Sequence, residues 1–172
     1  MSKILFLALD NTIRRTKSGA TFINEPYDQE LIPGVEEAIA RHQGEIIIGI
    51  TNQGGVGAGF KTIKNCLIEQ KVTLGLILDM TGIYFCPDGG NSLWSVIRNG
   101  HAFSTHEFLR TAPYKPFRKP DHGMLQYACA DLLDSEIPLD SLMVGDRPED
   151  QQAAKNADIN FIWAEDWRNG NV

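Results

Sequence analysis

Five short apolar runs recur along the chain, and most are separated by enough residues for a helix. Each run is apolar throughout rather than alternating, which is typical of strands buried on both faces. Such strands belong in a parallel sheet that helices cover. The predicted strands are Ile4–Leu9, Ile46–Thr51, Gly82–Cys86, Ser141–Val144 and Asn160–Trp163.

Helix-like segments lie between the predicted strands. The first begins after the start signal Pro33–Gly34, and proline and glycine often mark such boundaries. The predicted helices are Val35–His42, Thr62–Leu78, Gly123–Leu133 and Glu149–Ala157. This alternation predicts an α/β fold with a doubly wound, mainly parallel five-stranded sheet and helices on both faces.

The length of 172 residues fits one domain, 1–172. Within it, the stretch at about 87–117 has several glycines and prolines and only weak periodicity. We predict an irregular insert there. Long loops in compact domains are often binding loops, so substrate contacts are expected in this insert.

Composition narrows the classes of function. The chain is 42% hydrophobic and 22% charged, as in ordinary globular proteins, and its formal charge of −6 does not draw nucleic acid to the whole surface. Its three cysteines form no CxxC pair, which favours a reducing cytoplasm. No apolar run approaches the length of a membrane span, and the N-terminus lacks a signal-peptide pattern. The balance favours a cytoplasmic protein with a small ligand and no membrane partner.

Polar segments follow the predicted strands or precede a helix. They are "DNT" (Asp10–Thr12), "TNQGG" (Thr51–Gly55), "RKP" (Arg118–Pro120) and "GDRPED" (Gly145–Asp150). Because ligands of open parallel sheets sit outside the carboxyl ends of the strands, these segments should converge. Taken singly, each has an ordinary explanation as a turn, a helix cap or a solvated charge. Their order and shared edge favour a site.

The residue types in these segments suit one chemistry. Acidic residues after two different strands offer the oxygen ligands that Mg²⁺ prefers. Thr51 and the amides of a glycine-rich turn can hold phosphate oxygens, and Lys119 adds positive charge. Together they predict a site for a phosphoryl group beside a metal ion.

The four segments, in this order, resemble the four motifs of the haloacid dehalogenase superfamily of phosphatases. Three longer stretches resemble its capless subgroup, which contains histidinol-phosphate phosphatases, heptose-bisphosphate phosphatases and the 3′-phosphatase domains of polynucleotide kinases. These stretches are "TNQGGVGAGF" (Thr51–Phe60), "GIYFCPD" (Gly82–Asp88) and "RKPDHGML" (Arg118–Leu125). The resemblance implies a Rossmann-like fold without a separate cap domain.

The resemblance also implies roles at the acidic positions. Position 8 would hold an aspartate that becomes phosphorylated and ligates Mg²⁺. Asp10 would be the general acid and base, with its backbone carbonyl on the metal. Asp146 would bind Mg²⁺, and Asp150 would be a supporting acid behind it.

The remaining motif residues would hold the transferring phosphoryl group. Thr51 and Asn52 would donate hydrogen bonds to its oxygens. Lys119 would neutralise it and orient the nucleophile. The implied partner is a small phosphorylated substrate, and the implied cofactor is Mg²⁺.

One departure lies in the first motif, where Ala8 stands at the nucleophile position. Alanine can neither attack phosphorus nor bind a metal. Moving the frame to make Asp10 the nucleophile puts Thr12 at the acid/base position and leaves Ile13–Arg15 without the expected threonine. We therefore keep Ala8 aligned and expect a nearly inert chain. Two explanations remain open: an engineered Asp→Ala form that traps substrate, and a natural pseudo-phosphatase that binds a phosphorylated ligand without turnover.

A second departure concerns zinc. Sugar- and histidinol-phosphate relatives commonly carry Cys-x-His and later Cys-x-Cys, whereas here Cys86 is followed by Asp88, and Lys115 and Phe117 replace the later cysteines. A four-ligand zinc site cannot be completed from these residues. We predict no structural zinc, and we expect His101 and His106 on the surface of the insert.

The leading hypothesis is an Mg²⁺-dependent phosphomonoester hydrolase scaffold that uses an aspartyl-phosphate mechanism on a small metabolite such as a sugar phosphate. The alternative is a polynucleotide 3′-phosphatase, which predicts a basic groove that binds a nucleic-acid end. Aromatic and basic residues of the insert could stack on such an end or simply anchor the loop. These residues are Trp94, Arg98, Phe103, Phe108, Arg110, Tyr114 and Lys115.

Overall fold

The computed structural model describes residues 3–109, 114 and 116–171. The main sheet is formed by β1 (Ile4–Leu7), β4 (Ile46–Asn52), β5 (Met80–Cys86), β6 (Ser92–Asn99), β7 (Ala102–Leu109), β8 (Leu142–Gly145) and β9 (Asn160–Trp163). A separate two-stranded sheet is formed by β2 (Arg14–Arg15) and β3 (Glu30–Leu31). The helices are α1 (Val35–Ala40), α2 (Ile63–Leu76), α3 (Gly123–Leu133), α4 (Pro148–Asn156) and α5 (Ala164–Arg168).

The order of strands in the main sheet is β7-β6-β5-β4-β1-β8-β9. Five neighbouring strands are parallel and correspond to the five predicted strands. In their order across the sheet they are β5, β4, β1, β8 and β9. β1 lies between β4 and β8, and all four of its side chains are buried. This position explains its continuous apolar sequence, because helices cover both of its faces. The mainly parallel α/β fold predicted from the sequence is confirmed.

Each face of the sheet carries its own apolar core. On one face, side chains of β1, β4 and β5 pack against α1, α2 and α5, with Trp167 of α5 fully buried. On the other face, the remaining side chains of these strands pack against α3 and α4. This three-layer arrangement leaves the carboxyl ends of the strands as the place where polar groups can collect.

The prediction of an irregular insert at about 87–117 is wrong over residues 92–109, and so is the count of five strands. β6 and β7 form an antiparallel hairpin whose strand β6 pairs with β5, so the sheet has seven strands. The two turn residues are Gly100 and His101, and Gly100 has a positive φ of 62°. Glycine at the first central position of a two-residue turn is a hairpin signal that outweighs weak periodicity. Residues Arg110 and Lys115 lie outside the described residues.

Side chains of the hairpin anchor it to the domain. Arg98 donates hydrogen bonds to the carbonyls of Leu74 and Ile77 at the end of α2. Phe108 packs its ring against Tyr127 of α3, with 4.5 Å between centroids. Because these groups already have partners within the domain, the contacts favour the anchoring interpretation over the stacking of a nucleic-acid end.

Helix α5 was not predicted from the sequence. Its Trp167 donates an indole N–H to Nε2 of His42, at 2.9 Å, which ties the end of the chain to the loop after α1. None of the helices among the described residues combines the length and apolar character needed to cross a membrane.

Candidate functional site

A cleft of about 1130 Å³ opens at the carboxyl ends of β1, β4 and β8. All four polar segments contribute to its walls. Every site residue predicted from the sequence lines it, namely Ala8, Asp10, Thr51, Asn52, Lys119, Asp146 and Asp150. The convergence expected from the strand pattern is therefore present in the fold.

Lys119 is a buried cation held by two acceptors. Its side chain is 5% exposed, and Nζ donates to Oδ1 of Asp150 at 2.6 Å and to the carbonyl of Ile50 at 3.0 Å. An ammonium group has three donors, so one remains for a ligand in the cleft. Asp150 thus fixes the position of Lys119 and offsets the cost of burying its charge.

Asn52 holds the same segment from the side of β4. Its amide nitrogen donates to the carbonyl of Lys119 and its amide oxygen accepts from the N–H of Lys119, both at 3.0 Å. This pairing uses the acceptor and one of the two donors of the side chain. The side chain of Asn52 therefore positions Lys119, a role that the motif alone does not reveal.

Asp146 follows β8 and faces the cleft. Its Oδ1 accepts a hydrogen bond from the hydroxyl of Thr12, at 3.1 Å. Burial raises the pKa of Asp146, and the neighbouring carboxylate of Asp150 raises it further. A cation or a hydrogen-bond donor placed beside Asp146 would relieve this cost.

Asp150 is the support for this part of the site. Its Oδ2 accepts from the backbone N–H groups of Asp146 and Arg147, both at 3.1 Å. This contact requires a glycine at position 145, because a Cβ there would lie 2.3 Å from Cβ of Asp150. Gly145 thus allows the carboxylate of Asp150 to reach back under the turn.

Replacing Gly145 by alanine is expected to displace Asp150 and, with it, Lys119 and Asp146. The steric conflict involves a side chain that is packed on all sides, so we expect a loss of about 1–3 kcal/mol in the free energy of unfolding. Urea unfolding of Gly145→Ala, with Gly75→Ala as a control at a glycine with open space around it, measures this. Equal stabilities of the two variants would contradict the assigned contact.

Asp10 lies in a closed ring of polar contacts that the sequence did not reveal. Its Oδ1 accepts from Nε of Arg14 at 2.9 Å, and its Oδ2 accepts from Nε2 of Gln53 at 3.1 Å. Oε1 of Gln53 accepts from Nζ of Lys61 at 3.1 Å. Glu69 closes the ring, because its two oxygens bind Lys61 at 2.8 Å and Arg14 at 2.7 Å.

The positive and negative charges in this ring are equal in number. Two carboxylates, Asp10 and Glu69, face two cations, Arg14 and Lys61. Arg14 is fully buried, and its Nη1 donates hydrogen bonds to Gln70 and Thr73 of α2. The ring thereby connects the turn after β1, the loop after β4 and helix α2.

The ring also sets the ionisation of Asp10. Burial opposes the charged form, but the Arg14 guanidinium, the nearby Lys61 and the hydrogen bond from Gln53 outweigh it, so the pKa of Asp10 lies below its usual value. The side chain of Asp10 is still 43% exposed towards the cleft. It therefore presents a charged carboxylate whose two oxygens already have donors.

The predicted nucleophile position presents no polar side-chain atom. Ala8 is 3% exposed, and its backbone N–H donates a hydrogen bond to the carbonyl of Val144. Its methyl group packs with the apolar core on the α3 side of the sheet. Position 8 therefore offers the cleft a methyl group where a carboxylate would stand.

Several cleft residues escaped prediction although they stand in or beside the recognised segments. Gln53 belongs to "TNQGG", Lys61 follows "TNQGGVGAGF" directly, and Arg118 opens "RKP". Motif spacing could have flagged these three. Arg14 and Glu69 could not be paired in advance, because they are 55 residues apart in the chain.

The positions of the missing zinc ligands have other uses in this fold. The Asp88 carboxylate accepts from the N–H groups of Gly90 and Asn91, both at 2.9 Å, and so shapes the turn before β6. Phe117 is fully buried in the core, and Lys115 lies outside the described residues. The structure puts His101 and His106 on the exposed part of the hairpin.

Comparison with known proteins places the chain in a family. A family model described as polynucleotide kinase 3 phosphatase matches residues 3–167. The chain belongs to this family.

Curated relatives of this member of the polynucleotide kinase 3 phosphatase family include heptose-bisphosphate phosphatases. The D-glycero-beta-D-manno-heptose-1,7-bisphosphate 7-phosphatase of Haemophilus influenzae is 28% identical over 94% of this chain and 80% of its own length. The enzyme of the same name from Escherichia coli K12 is 30% identical over 90% of this chain and 74% of its own length.

Solved structures agree on the fold of this polynucleotide kinase 3 phosphatase family member. A Mesorhizobium loti protein described as a HAD-like phosphatase superposes with a TM-score of 0.67 and 26% identity, over 92% of this chain and 69% of its own. The D,D-heptose 1,7-bisphosphate phosphatase of B. bronchiseptica, complexed with magnesium and phosphate, superposes with a TM-score of 0.63 and 23% identity, over 92% of this chain and 78% of its own. The resemblance to capless haloacid dehalogenase phosphatases is confirmed.

Proposed function

We propose that the cleft binds the phosphoryl group of a small phosphorylated metabolite, with a sugar phosphate as the first candidate. The chain then has the scaffold of a phosphomonoester hydrolase, and its aspartyl-phosphate chemistry stops at Ala8. The observation that carries this proposal is the convergence of all four polar segments on one cleft.

The phosphate-binding donors would come from two segments. Lys119 and Thr51 both line the cleft, and Nζ of Lys119 has one donor beyond those used by Asp150 and Ile50. The backbone N–H groups of Gly54 and Gly55 have no acceptor within the described part of the chain. Glycine-rich turns of this kind present amides to anions at close range.

In a form with a carboxylate at position 8, the remaining motif residues would have the roles that the family resemblance implies. Asp10 would exchange a proton with the leaving oxygen and with water, and Asp146 would add negative charge for a cation. In the present chain these two residues have no reacting bond to act on. The proposed activity of the chain as it stands is therefore binding without turnover.

Two observations support a sugar phosphate as the ligand. The relatives that match most of the chain are named for heptose bisphosphates. The cleft of about 1130 Å³ also exceeds the size of a phosphate ion, so it has room for the rest of a small metabolite.

The alternative, a polynucleotide 3′-phosphatase scaffold, is favoured by the description of the matching family model. It predicts a basic groove, but five acidic and four basic side chains line the cleft. These are Asp10, Asp88, Asp146, Glu149 and Asp150, and Lys61, Arg118, Lys119 and Arg147. This mixed charge supports the smaller ligand.

Isothermal titration calorimetry with a panel of ligands tests the proposal. The panel contains a heptose bisphosphate, a hexose phosphate, the same hexose without phosphate, and a single-stranded oligonucleotide with a 3′-phosphate. We expect the phosphorylated sugars to bind at least about tenfold more tightly than the free sugar, and Lys119→Met to remove about 1.4 kcal/mol or more of this affinity.

Lys155→Met serves as the matched control, because Lys155 is exposed on α4 outside the cleft. Circular dichroism checks that Lys119→Met is folded. Tighter, salt-dependent binding of the oligonucleotide would favour the alternative function. If no phosphorylated compound binds, the proposal is wrong.

A further inference from the structure

The oxygen ligands available for Mg²⁺ in the cleft are fewer than the motif implies. The implied ligands are the carboxylate of Asp146, the backbone carbonyl of Asp10 and a carboxylate at position 8. Ala8 removes the last of these. Mg²⁺ requires near-octahedral oxygen coordination and is usually held by one or two carboxylates together with phosphate and water.

The carboxylates of Asp10 and Asp150 are already in use. Both oxygens of Asp10 accept hydrogen bonds, from Arg14 and from Gln53. Both oxygens of Asp150 are used as well, by Lys119 and by two backbone N–H groups. Across residues 3–109, 114 and 116–171, no three side chains of His, Cys, Asp or Glu are grouped to hold a metal ion. The residues present do not fit a resident Mg²⁺.

Positive charge is available in the cleft without a metal. Lys119 keeps one free donor, as described above. The side chain of Arg118 has no hydrogen bond or ion pair to the described residues, and its Nη1 lies 3.1 Å from the point where a Cβ on Gly54 would sit. The guanidinium therefore lies against the turn whose amides at Gly54 and Gly55 have no acceptor among the described residues.

We propose that this cleft binds a phosphorylated ligand without Mg²⁺, with Arg118, Lys119 and the turn amides meeting the charge of the phosphoryl group. The inference rests on the proposed function, because it concerns the same site. Arginine and lysine donors form charge-assisted hydrogen bonds with phosphate oxygens, so they can replace the neutralisation that a metal ion would give.

The ring around Asp10 engages the Asp10 carboxylate whichever residue stands at position 8. Arg14, Gln53, Lys61 and Glu69 form their contacts without any involvement of position 8. Both carboxylate oxygens of Asp10 are therefore already in use in the chain as it stands. The Asp10 carboxylate cannot take the place of the missing carboxylate at position 8 without giving up one of these hydrogen bonds.

Calorimetric titration of inorganic phosphate and of a hexose phosphate, in EDTA and again in excess Mg²⁺, tests this inference. We expect the dissociation constants of the chain in the two media to agree within about twofold. Mg²⁺ alone should give no binding heat. Arg118→Met should weaken phosphate binding at least about fivefold in EDTA, while Arg15→Met, a half-exposed arginine outside the cleft, should not.

Ala8→Asp provides the matched comparison. The introduced carboxylate should create binding heat for Mg²⁺ alone and should make phosphate binding at least about tenfold tighter in Mg²⁺ than in EDTA. A tenfold gain in the affinity of the unsubstituted chain in Mg²⁺ would overturn the inference and leave the proposed function standing. If the unsubstituted chain binds nothing in either medium while Ala8→Asp binds with Mg²⁺, the inference and the proposed binding by the chain as it stands are both wrong. Absence of binding by both forms in both media would refute the proposed function and the inference together.

Discussion

Ala8→Asp is expected to produce Mg²⁺-dependent phosphatase activity at least about a hundredfold above that of the unsubstituted chain. The introduced carboxylate oxygen would bond to phosphorus as the bond from phosphorus to the leaving oxygen breaks. Water would then attack this phosphorus, release inorganic phosphate and regenerate the carboxylate. An aryl phosphate and a hexose phosphate are the substrates to assay.

The aryl phosphate is included because of the contacts of Asp10. Its hydrogen bonds to Arg14 and Gln53 hold its pKa below the usual value, which disfavours its use as a proton donor. A phenolate leaves readily without a proton, so activity on the aryl phosphate reports the nucleophile by itself. We expect it to exceed the activity on the hexose phosphate.

Ala8→Asn is the control for Ala8→Asp, because it has nearly the same shape and cannot form the acyl phosphate. Thermal unfolding of both variants shows whether position 8, which is 3% exposed, tolerates a larger polar side chain. If Ala8→Asp is folded and no more active than Ala8→Asn on either substrate, the hydrolase scaffold is not catalytically competent at this position.

Glu69→Ala is expected to lower the free energy of unfolding by about 3–5 kcal/mol, the usual cost of breaking a buried ion pair from one side. The Glu69 side chain is 2% exposed and accepts from both Arg14 and Lys61. Its removal leaves two buried cations, of which only Arg14 still contacts a carboxylate, that of Asp10. Urea unfolding followed by circular dichroism measures the change.

Glu37→Ala is the matched control, because Glu37 is exposed on α1 and should cost less than about 1 kcal/mol. Glu69→Gln retains the shape and removes the charge, so we expect a loss between those of the two alanine variants. A loss for Glu69→Ala no larger than that for Glu37→Ala would mean that the ring adds no net stability.

The hairpin of β6 and β7 is a part of the fold that the sequence pattern did not predict. Gly100, the first residue of the two-residue turn, was a local signal for a tight turn, but the residues of β7 are mostly exposed and give little apolar periodicity. Backbone hydrogen bonds, which do not depend on side-chain pattern, join β6 to β5 and β7 to β6. This is why the insert could be mistaken for an irregular loop.

The sequence by itself determined the parallel core and the convergence of Asp10, Thr51, Lys119 and Asp146, because the carboxyl ends of parallel strands must meet at one edge. Only the tertiary structure decided which groups form hydrogen bonds and ion pairs around these residues. The link between Arg14 and Glu69 depends on how α2 packs beside the turn after β1, and the pairing of Asn52 with Lys119 depends on how two distant segments meet. Such contacts follow from packing between distant segments rather than from local spacing, so no pattern along the chain could reveal them.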